Sequence, residues 1–160
     1  RLPSFPVQLS SEEPARQAWA VRTLAGYFWK FDPVYKDLVG EIISQRLMPR
    51  LLAILDHDEL QVVNATLDSI LAVLSVGHEK KRNMARSRAR LFPKGPRRGG
   101  RLENPHKLII FRAGGTDKFS DLMDKLHYRL FSQQEEELVL EMLGKVEEFQ
   151  SCNFEIPDEC

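Results

Sequence analysis

The chain has 160 residues, which is long enough for one compact domain with a hydrophobic core. Its apolar content of 42% is ordinary for a globular protein, and no apolar run reaches the roughly 18 residues that would suggest a membrane span. The start of the chain lacks the basic residues and the apolar run of a signal peptide. A membrane-spanning or secreted protein is therefore not expected. Because no initiator methionine precedes Arg1, we expect the chain to belong to a longer protein.

The net charge of zero conceals a separation of charge along the chain. The segment from Lys80 to Leu102 carries ten basic residues and no acidic one, so the remainder holds 13 basic against 23 acidic residues. The only cysteines, Cys152 and Cys160, lie near the end and have no metal or redox spacing, which favours a reducing compartment. The sequence thus predicts an acidic body with one basic segment.

Two helices are predicted from apolar residues that recur at helical spacing. The first runs from Glu59 to Val76, is expected to be buried on most sides, and stops at Gly77. The second carries an apolar stripe formed by Leu138, Val139, Met142, Leu143, Val146 and Phe149.

Turn and capping signals predict further helices. Ser10-Ser11 precedes a helix that reaches about Phe28, and Asp32-Pro33 opens a shorter one. Leucines from Leu47 to Leu55 mark another helix, and Gly114-Gly115 begins one that continues through Leu126. No segment alternates as a strand would. The predicted order is long, short, medium and long helix, a basic gap, and then short, medium and long again.

This recurring triplet of unequal helices is typical of armadillo repeats. Trp19 and Asp68 occupy matching places in successive long helices, 49 residues apart. The sequence predicts an all-α fold: a right-handed armadillo-repeat superhelix (α-solenoid) of about three repeats, the first incomplete, over residues 1–149. Segment 81–104 is expected to be a basic flexible insertion and 150–160 an acidic tail. A non-repeating helical bundle is the alternative. The exposed end of the first repeat is expected to be covered by Leu2, Phe5, Val7 and Leu9.

Several stretches, in serial order, resemble the C-terminal repeats of the importin-α family. They are Gln17-Ala18-Trp19-Ala20-Val21, Leu47-Met48-Pro49-Arg50-Leu51-Leu52, Val62-Val63 with Leu67-Asp68-Ser69-Ile70, Lys81-Arg82-Asn83, and Ala113-Gly114-Gly115-Thr116-Asp117-Lys118. The resemblance covers nearly the whole chain. It implies a fragment of a non-catalytic nuclear import adaptor, present in cytoplasm and nucleus. Such an adaptor binds nuclear localisation signal peptides, importin-β, and the recycling exportin with Ran-GTP.

The resemblance also implies roles for particular residues. In the family a tryptophan stacks on signal lysines and an asparagine four residues later holds the peptide backbone. Trp19 matches that tryptophan, whereas Thr23 and Ala72 stand where asparagines are expected. Peptide binding at Trp19 and Thr23 is therefore expected to be weak, and packing of Trp19 in the core is the alternative.

The resemblance implies that the recycling exportin recognises the end of the chain. Export-receptor recycling is therefore the role expected for this fragment. The expected receptor face is a cluster of acidic residues on the last two helices, with Lys118 among them: Asp117, Asp121, Asp124, Glu135, Glu136, Glu137, Glu141, Glu147 and Glu148. A solvated helix face is the alternative for any single member.

The basic segment departs from the family, and three interpretations of it are open. It is an inactive solvated loop, a basic peptide that folds back on an acidic groove, or a nucleic-acid contact through phosphates. Its cationic residues are Arg86, Arg88, Arg90, Lys94, Arg97, Arg98 and Arg101. An armadillo scaffold with a nucleic-acid-binding basic loop is therefore the alternative function.

No catalytic, metal or cofactor site is predicted. The four histidines, His57, His78, His106 and His127, are scattered and have no Cys or carboxylate at metal-binding spacing. Gly114-Gly115 lacks the preceding strand and the Gly-Lys-Ser/Thr ending of a phosphate loop. The sequence predicts a protein that acts by binding.

Overall fold

The computed structural model describes residues 4–91, 104–128 and 131–151. Over these residues the protein is all-α, with eight α-helices, one short 3₁₀ turn and no strand. The helices are α1 (Phe5–Ser10), α2 (Pro14–Trp29), α3 (Val34–Ser44), α4 (Met48–Ala53, continued by the 3₁₀ turn Ile54–Asp56), α5 (Leu60–Leu91), α6 (Pro105–Arg112), α7 (Gly115–Tyr128) and α8 (Gln133–Ser151).

The capping and turn signals placed most of these helices correctly. The helices predicted after Ser10-Ser11 and Asp32-Pro33 are α2 and α3, those predicted near Leu47 and Gly115 are α4 and α7, and the last apolar stripe is on α8. The short helix expected after the basic gap is α6. Between α2 and α5 we predicted a short helix followed by a medium one. This order was wrong, because α3 has 11 residues and α4 has six.

Helix α1 was not predicted as a helix, although its covering role was. Phe5 and Leu9 are buried, and α1 packs against α2, α3 and α4. Val7 is 53% exposed and takes little part in this contact. Leu2 lies outside the described residues.

Three helices end in the same backbone conformation: the residue after the C-cap has a positive φ. These residues are Phe31 (φ 56°), Arg46 (φ 56°) and Gly114 (φ 91°). After α2 the amide of Phe31 donates to the Phe28 carbonyl and that of Asp32 to the Tyr27 carbonyl, which is a Schellman motif. Only Gly114 has the residue type that such a position favours, so the other two ends were hidden from a glycine-based prediction.

The long helix α5 is the centre of the fold. It packs against α2 and α8, the other two long helices, and also against α3 and α6. Its first half is buried on nearly all sides, as predicted: Leu60, Val62, Val63, Ala65, Thr66, Leu67, Asp68, Ser69, Ile70, Ala72, Val73 and Gly77 are all buried. The hydroxyl of Ser69 donates to the Ala65 carbonyl of its own helix at 2.8 Å and also lies 3.2 Å from the Val21 carbonyl of α2, where the two helices are in close contact.

The prediction that Gly77 ends this helix was wrong, because α5 continues to Leu91. Gly77 is needed for close approach: a Cβ there would overlap Asn104 Oδ1 and lie 2.7 Å from His106 Cβ. Asn104 caps α6 by accepting from the His106 amide at 3.0 Å, and its side-chain amide donates to the Leu74 carbonyl at 3.0 Å. The missing side chain at Gly77 thus lets the start of α6 dock on α5.

The length and composition of α5 would also allow a membrane span, with a mean hydropathy of 1.5 over its most apolar window. However, 61% of that window is buried inside the protein. Such burial is usual for the core helix of a helical domain, and the apolar character of α5 is accounted for by its central packing.

Candidate binding groove on the long helices

Trp19 and Thr23 lie on α2, the first of the three long helices. Trp19 is 38% exposed, so part of its side chain is accessible to a ligand while the rest packs against the protein. Thr23 is half-buried and its hydroxyl donates to the Trp19 carbonyl at 2.7 Å. The one donor of Thr23 is therefore used within its own helix, leaving only acceptor capacity for a ligand.

The positions matched to this pair on α5 have a different environment. Asp68 is 6% exposed and Ala72 is fully buried. Ala72 therefore cannot contact a ligand on the surface, and the tryptophan-asparagine pattern does not continue from α2 to α5. If Thr23 contacts a peptide, Ala72 on α5 cannot make the equivalent contact, because it is buried.

Asp68 instead belongs to a polar clasp that connects the three long helices. Lys145 of α8 lies 2.7 Å from Asp68 Oδ1, 2.8 Å from Asn64 Oδ1 and 3.2 Å from Glu141 Oε1. Its ammonium group is also 6.0 Å from the centre of the Trp29 ring of α2. Because the Lys145 and Asp68 side chains are only 12% and 8% exposed, the pair is mostly withdrawn from water. The clasp thus holds α8 and α5 together beside the end of α2.

The role of Lys145 was not predicted from the sequence. Two signals were available: a carboxylate, Asp68, inside an apolar stripe requires a cation, and Glu141 with Lys145 forms an i, i+4 pair on α8. Neither signal identifies the long-range pairing.

A groove lies where α2 meets the beginnings of α5 and α8. We call it the long-helix groove, and its lining residues are Arg22, Asp58, Glu59, Leu60, Gln61, Gln134, Glu135 and Leu138. Three carboxylates and two primary amides surround partly apolar walls from Leu60 and Leu138. Arg22, three residues from Trp19, contributes the only cation of this lining, and it pairs with Glu59 at 3.4 Å. The groove therefore has the charge to attract a cationic ligand and amides able to bond an extended backbone.

The acidic residues predicted as a receptor face lie on α7 and α8, two helices that pack against each other. All nine are exposed. Asp117, Asp121 and Asp124 follow one face of α7 at helical spacing, while Lys118 turns away to pair with Asp56 at 2.7 Å.

Glu135 and Glu141 of the acidic cluster also make contacts within the protein. Glu135 forms a capping box with Ser132: the Ser132 amide donates to Glu135 Oε1 at 3.0 Å, and the Glu135 amide donates to Ser132 Oγ at 3.3 Å. Glu141 belongs to the Lys145 clasp. Reversing the charge of Glu135 would therefore also remove one hydrogen bond of the cap of α8.

The basic residues divide into two groups. Arg86, Arg88 and Arg90 are exposed on the last turns of α5, so the first eleven residues of the expected insertion are helix. Lys94, Arg97, Arg98 and Arg101 lie outside the described residues, as do the last nine residues of the acidic tail. The helical arginines are thus fixed to the core helix of the fold.

Comparison of the chain with protein-family models, curated proteins and solved structures finds no match.

Proposed function

We propose that the chain is a non-catalytic, armadillo-type binding scaffold, part of an importin-α-like import adaptor, that takes extended basic peptides in the long-helix groove. The observation that carries the proposal is the groove itself, with Asp58, Glu59 and Glu135 beside the apolar side chains of Leu60 and Leu138. Three carboxylates against one arginine favour lysine-rich ligands. The amides of Gln61 and Gln134 in the lining suit the backbone of an extended chain.

The arrangement of the helices supports the repeat interpretation. The equivalent long helices of successive triplets pack on each other, α2 on α5 and α5 on α8, and α4 packs on α7 as well as on α6. Stacking of like on like is what builds a superhelix from units that cannot bury their own apolar faces. On this proposal α2 ends an incomplete first repeat, and α3–α5 and α6–α8 are the next two.

Recycling of the adaptor is the second part of the proposal. The exposed carboxylates of α7 and α8 offer a negative surface to the export receptor with Ran-GTP, and importin-β is the import partner. Reversing the charges of Glu136 and Glu137 should slow association with the receptor. Each exposed pair is worth only about 0–1 kcal/mol, so the effect should be modest. Glu135 must be left unchanged, because it caps α8.

The test of the groove is fluorescence anisotropy with a labelled lysine-rich signal peptide. The double variant Asp58→Asn/Glu59→Gln should weaken binding by about tenfold, as two favourable charge contacts are lost. Glu12→Gln/Asp37→Asn, which removes two exposed carboxylates elsewhere, is the matched control and should bind normally. Equal binding by the two double variants, or an absence of peptide binding by the unmodified chain, would refute the groove assignment.

A further inference from the structure

The second half of α5 is a basic helix surrounded by solvent. Every residue from Arg82 to Leu91 is exposed. Between His78 and Leu91 the helix carries six lysines and arginines and one acidic residue, Glu79. Like charges four residues apart destabilise an isolated helix, so an anionic partner would stabilise this segment.

One face of this helix lines a cleft against the start of α3. The cleft is bordered by Lys36, Ser75, His78, Glu79, Arg82, Asn83 and Arg86. Glu79 is already paired with Lys36 at 3.1 Å, and this contact raises the pKa of Lys36. The arginines at positions 82 and 86 therefore dominate the remaining charge of the cleft.

The arginines along this face have a regular spacing. Arg82, Arg86 and Arg90 are four residues apart, and each step advances about 6 Å along a helix. This advance is similar to the distance between adjacent phosphates of one nucleic-acid strand. Arginine, unlike lysine, presents a planar fork that pairs with two phosphate oxygens.

Exposed aromatic rings lie on the segment that leads from the end of α2 to Lys36 of this cleft. Tyr35, next to Lys36, packs edge-on against Phe28 at 5.2 Å, and Phe28 contacts Trp29 at 5.7 Å. Trp29 is 56% exposed and Phe31 is 85% exposed. Phe31 also has a positive φ, which costs a non-glycine residue free energy. Neither packing nor backbone preference explains a phenylalanine at this position.

We infer that this surface binds single-stranded nucleic acid, with Arg82, Arg86 and Arg90 on the phosphates and Phe31 stacking on a base. Basic grooves with neighbouring aromatic rings are how such strands are held without sequence preference. The exposed Phe31 ring favours this partner over an acidic protein, which would use the arginines but has no bases to stack. In a duplex the base faces are covered. The site is separate from the long-helix groove, so it does not depend on peptide binding there.

The experiment measures anisotropy of a labelled oligouridylate of about twelve nucleotides, a length within the range covered by small single-strand sites. The triple variant Arg82→Gln/Arg86→Gln/Arg90→Gln should lose at least about tenfold in affinity. Loss of three phosphate contacts should also reduce the slope of log K against log salt by about 2. The control triple variant Arg16→Gln/Arg50→Gln/Arg112→Gln removes three exposed arginines elsewhere and should bind like the unmodified chain.

A second variant separates stacking from charge and from folding. Phe31→Asn removes the ring while placing a residue that tolerates positive φ, so the fold should be kept. Loss of one stacked base predicts about a 5- to 150-fold weaker complex. Tyr128→Asn, at a ring that is 84% exposed on α7, should have no effect.

Two competing probes complete the test, a duplex of the same length and a polyglutamate peptide. The inference requires the single strand to bind more tightly than both. It is overturned if the duplex binds as well, if polyglutamate binds through the same arginines, if Phe31→Asn is neutral, or if the oligonucleotide fails to bind.

Discussion

Substitution of Gly77 by alanine has two opposing effects on the stability of the protein. Helix propensity predicts a gain in stability, whereas packing predicts a loss. Alanine in place of glycine inside a helix ordinarily stabilises it by about 0.5–1 kcal/mol. At Gly77, however, the new Cβ would overlap Asn104 Oδ1 and lie 2.7 and 2.8 Å from two carbons of His106. The start of α6 would have to move away from α5.

The cost of that movement can be worked from the contacts that are lost. Overpacking of this kind costs about 1–3 kcal/mol, and loss of the Asn104 cap of α6 costs about 0.5–2 kcal/mol. After subtraction of the propensity gain, Gly77→Ala should reduce the free energy of unfolding by about 1–4 kcal/mol. Urea denaturation followed by far-ultraviolet circular dichroism measures this change.

Glycines with open surroundings give the matched control. A Cβ at Gly40 on α3 or at Gly144 on α8 meets nothing within 4 Å. Gly40→Ala and Gly144→Ala should therefore each stabilise the protein by about 0.5–1 kcal/mol. A Gly77→Ala variant that is as stable as these controls would show that α6 does not dock at Gly77. Replacing Asn104 by alanine as well should reduce the penalty, since the closest contact is then absent.

Other contacts yield further predictions. Lys145→Met should cost about 3 kcal/mol by leaving Asp68 nearly buried without its cation, and the double variant Asp68→Asn/Lys145→Met should recover part of that loss in the same denaturation assay. Burial lowers the pKa of His106 below its ordinary value of 6.5, with Lys80 adding to the effect, so the folded state binds fewer protons than the unfolded state. Stability should therefore fall as pH decreases below 6.5, and His106→Gln should remove that part of the pH dependence in a titration of unfolding free energy. Arg46→Gly should raise the melting temperature through a gain of about 0.5–1 kcal/mol, since glycine adopts the positive φ of this helix end more readily; an unchanged or lower value would contradict the assignment.

Local signals were sufficient for most of the helices. Pro14 at the start of α2 and Gly115 at the start of α7 mark helix beginnings, and the apolar period of α8 is unambiguous. These features depend on residues within one or two turns. The long burial of α5 was equally visible, because its apolar residues cover most of the helix surface.

Features set by distant contacts were not predictable. Gly77 has the residue type of a helix end, but its role is set by Asn104 and His106 of another helix. The Lys145 clasp likewise depends on Asp68 and Trp29, which lie on two other helices. The long-helix groove could not be predicted from the sequence either. Its carboxylates lie at the ends of separate helices, which become neighbours only when the helices pack.

The most direct test of the proposed binding scaffold is a nuclear magnetic resonance titration of the isotope-labelled chain with a lysine-rich signal peptide. The account predicts that chemical-shift changes concentrate on Arg22, Glu59, Gln61, Gln134 and Leu138, the lining of the long-helix groove. Trp19 should respond as the nearest exposed ring on α2. Saturating peptide that leaves these signals unchanged, or shifts that lie only on α3 and the basic half of α5, would contradict the central claim.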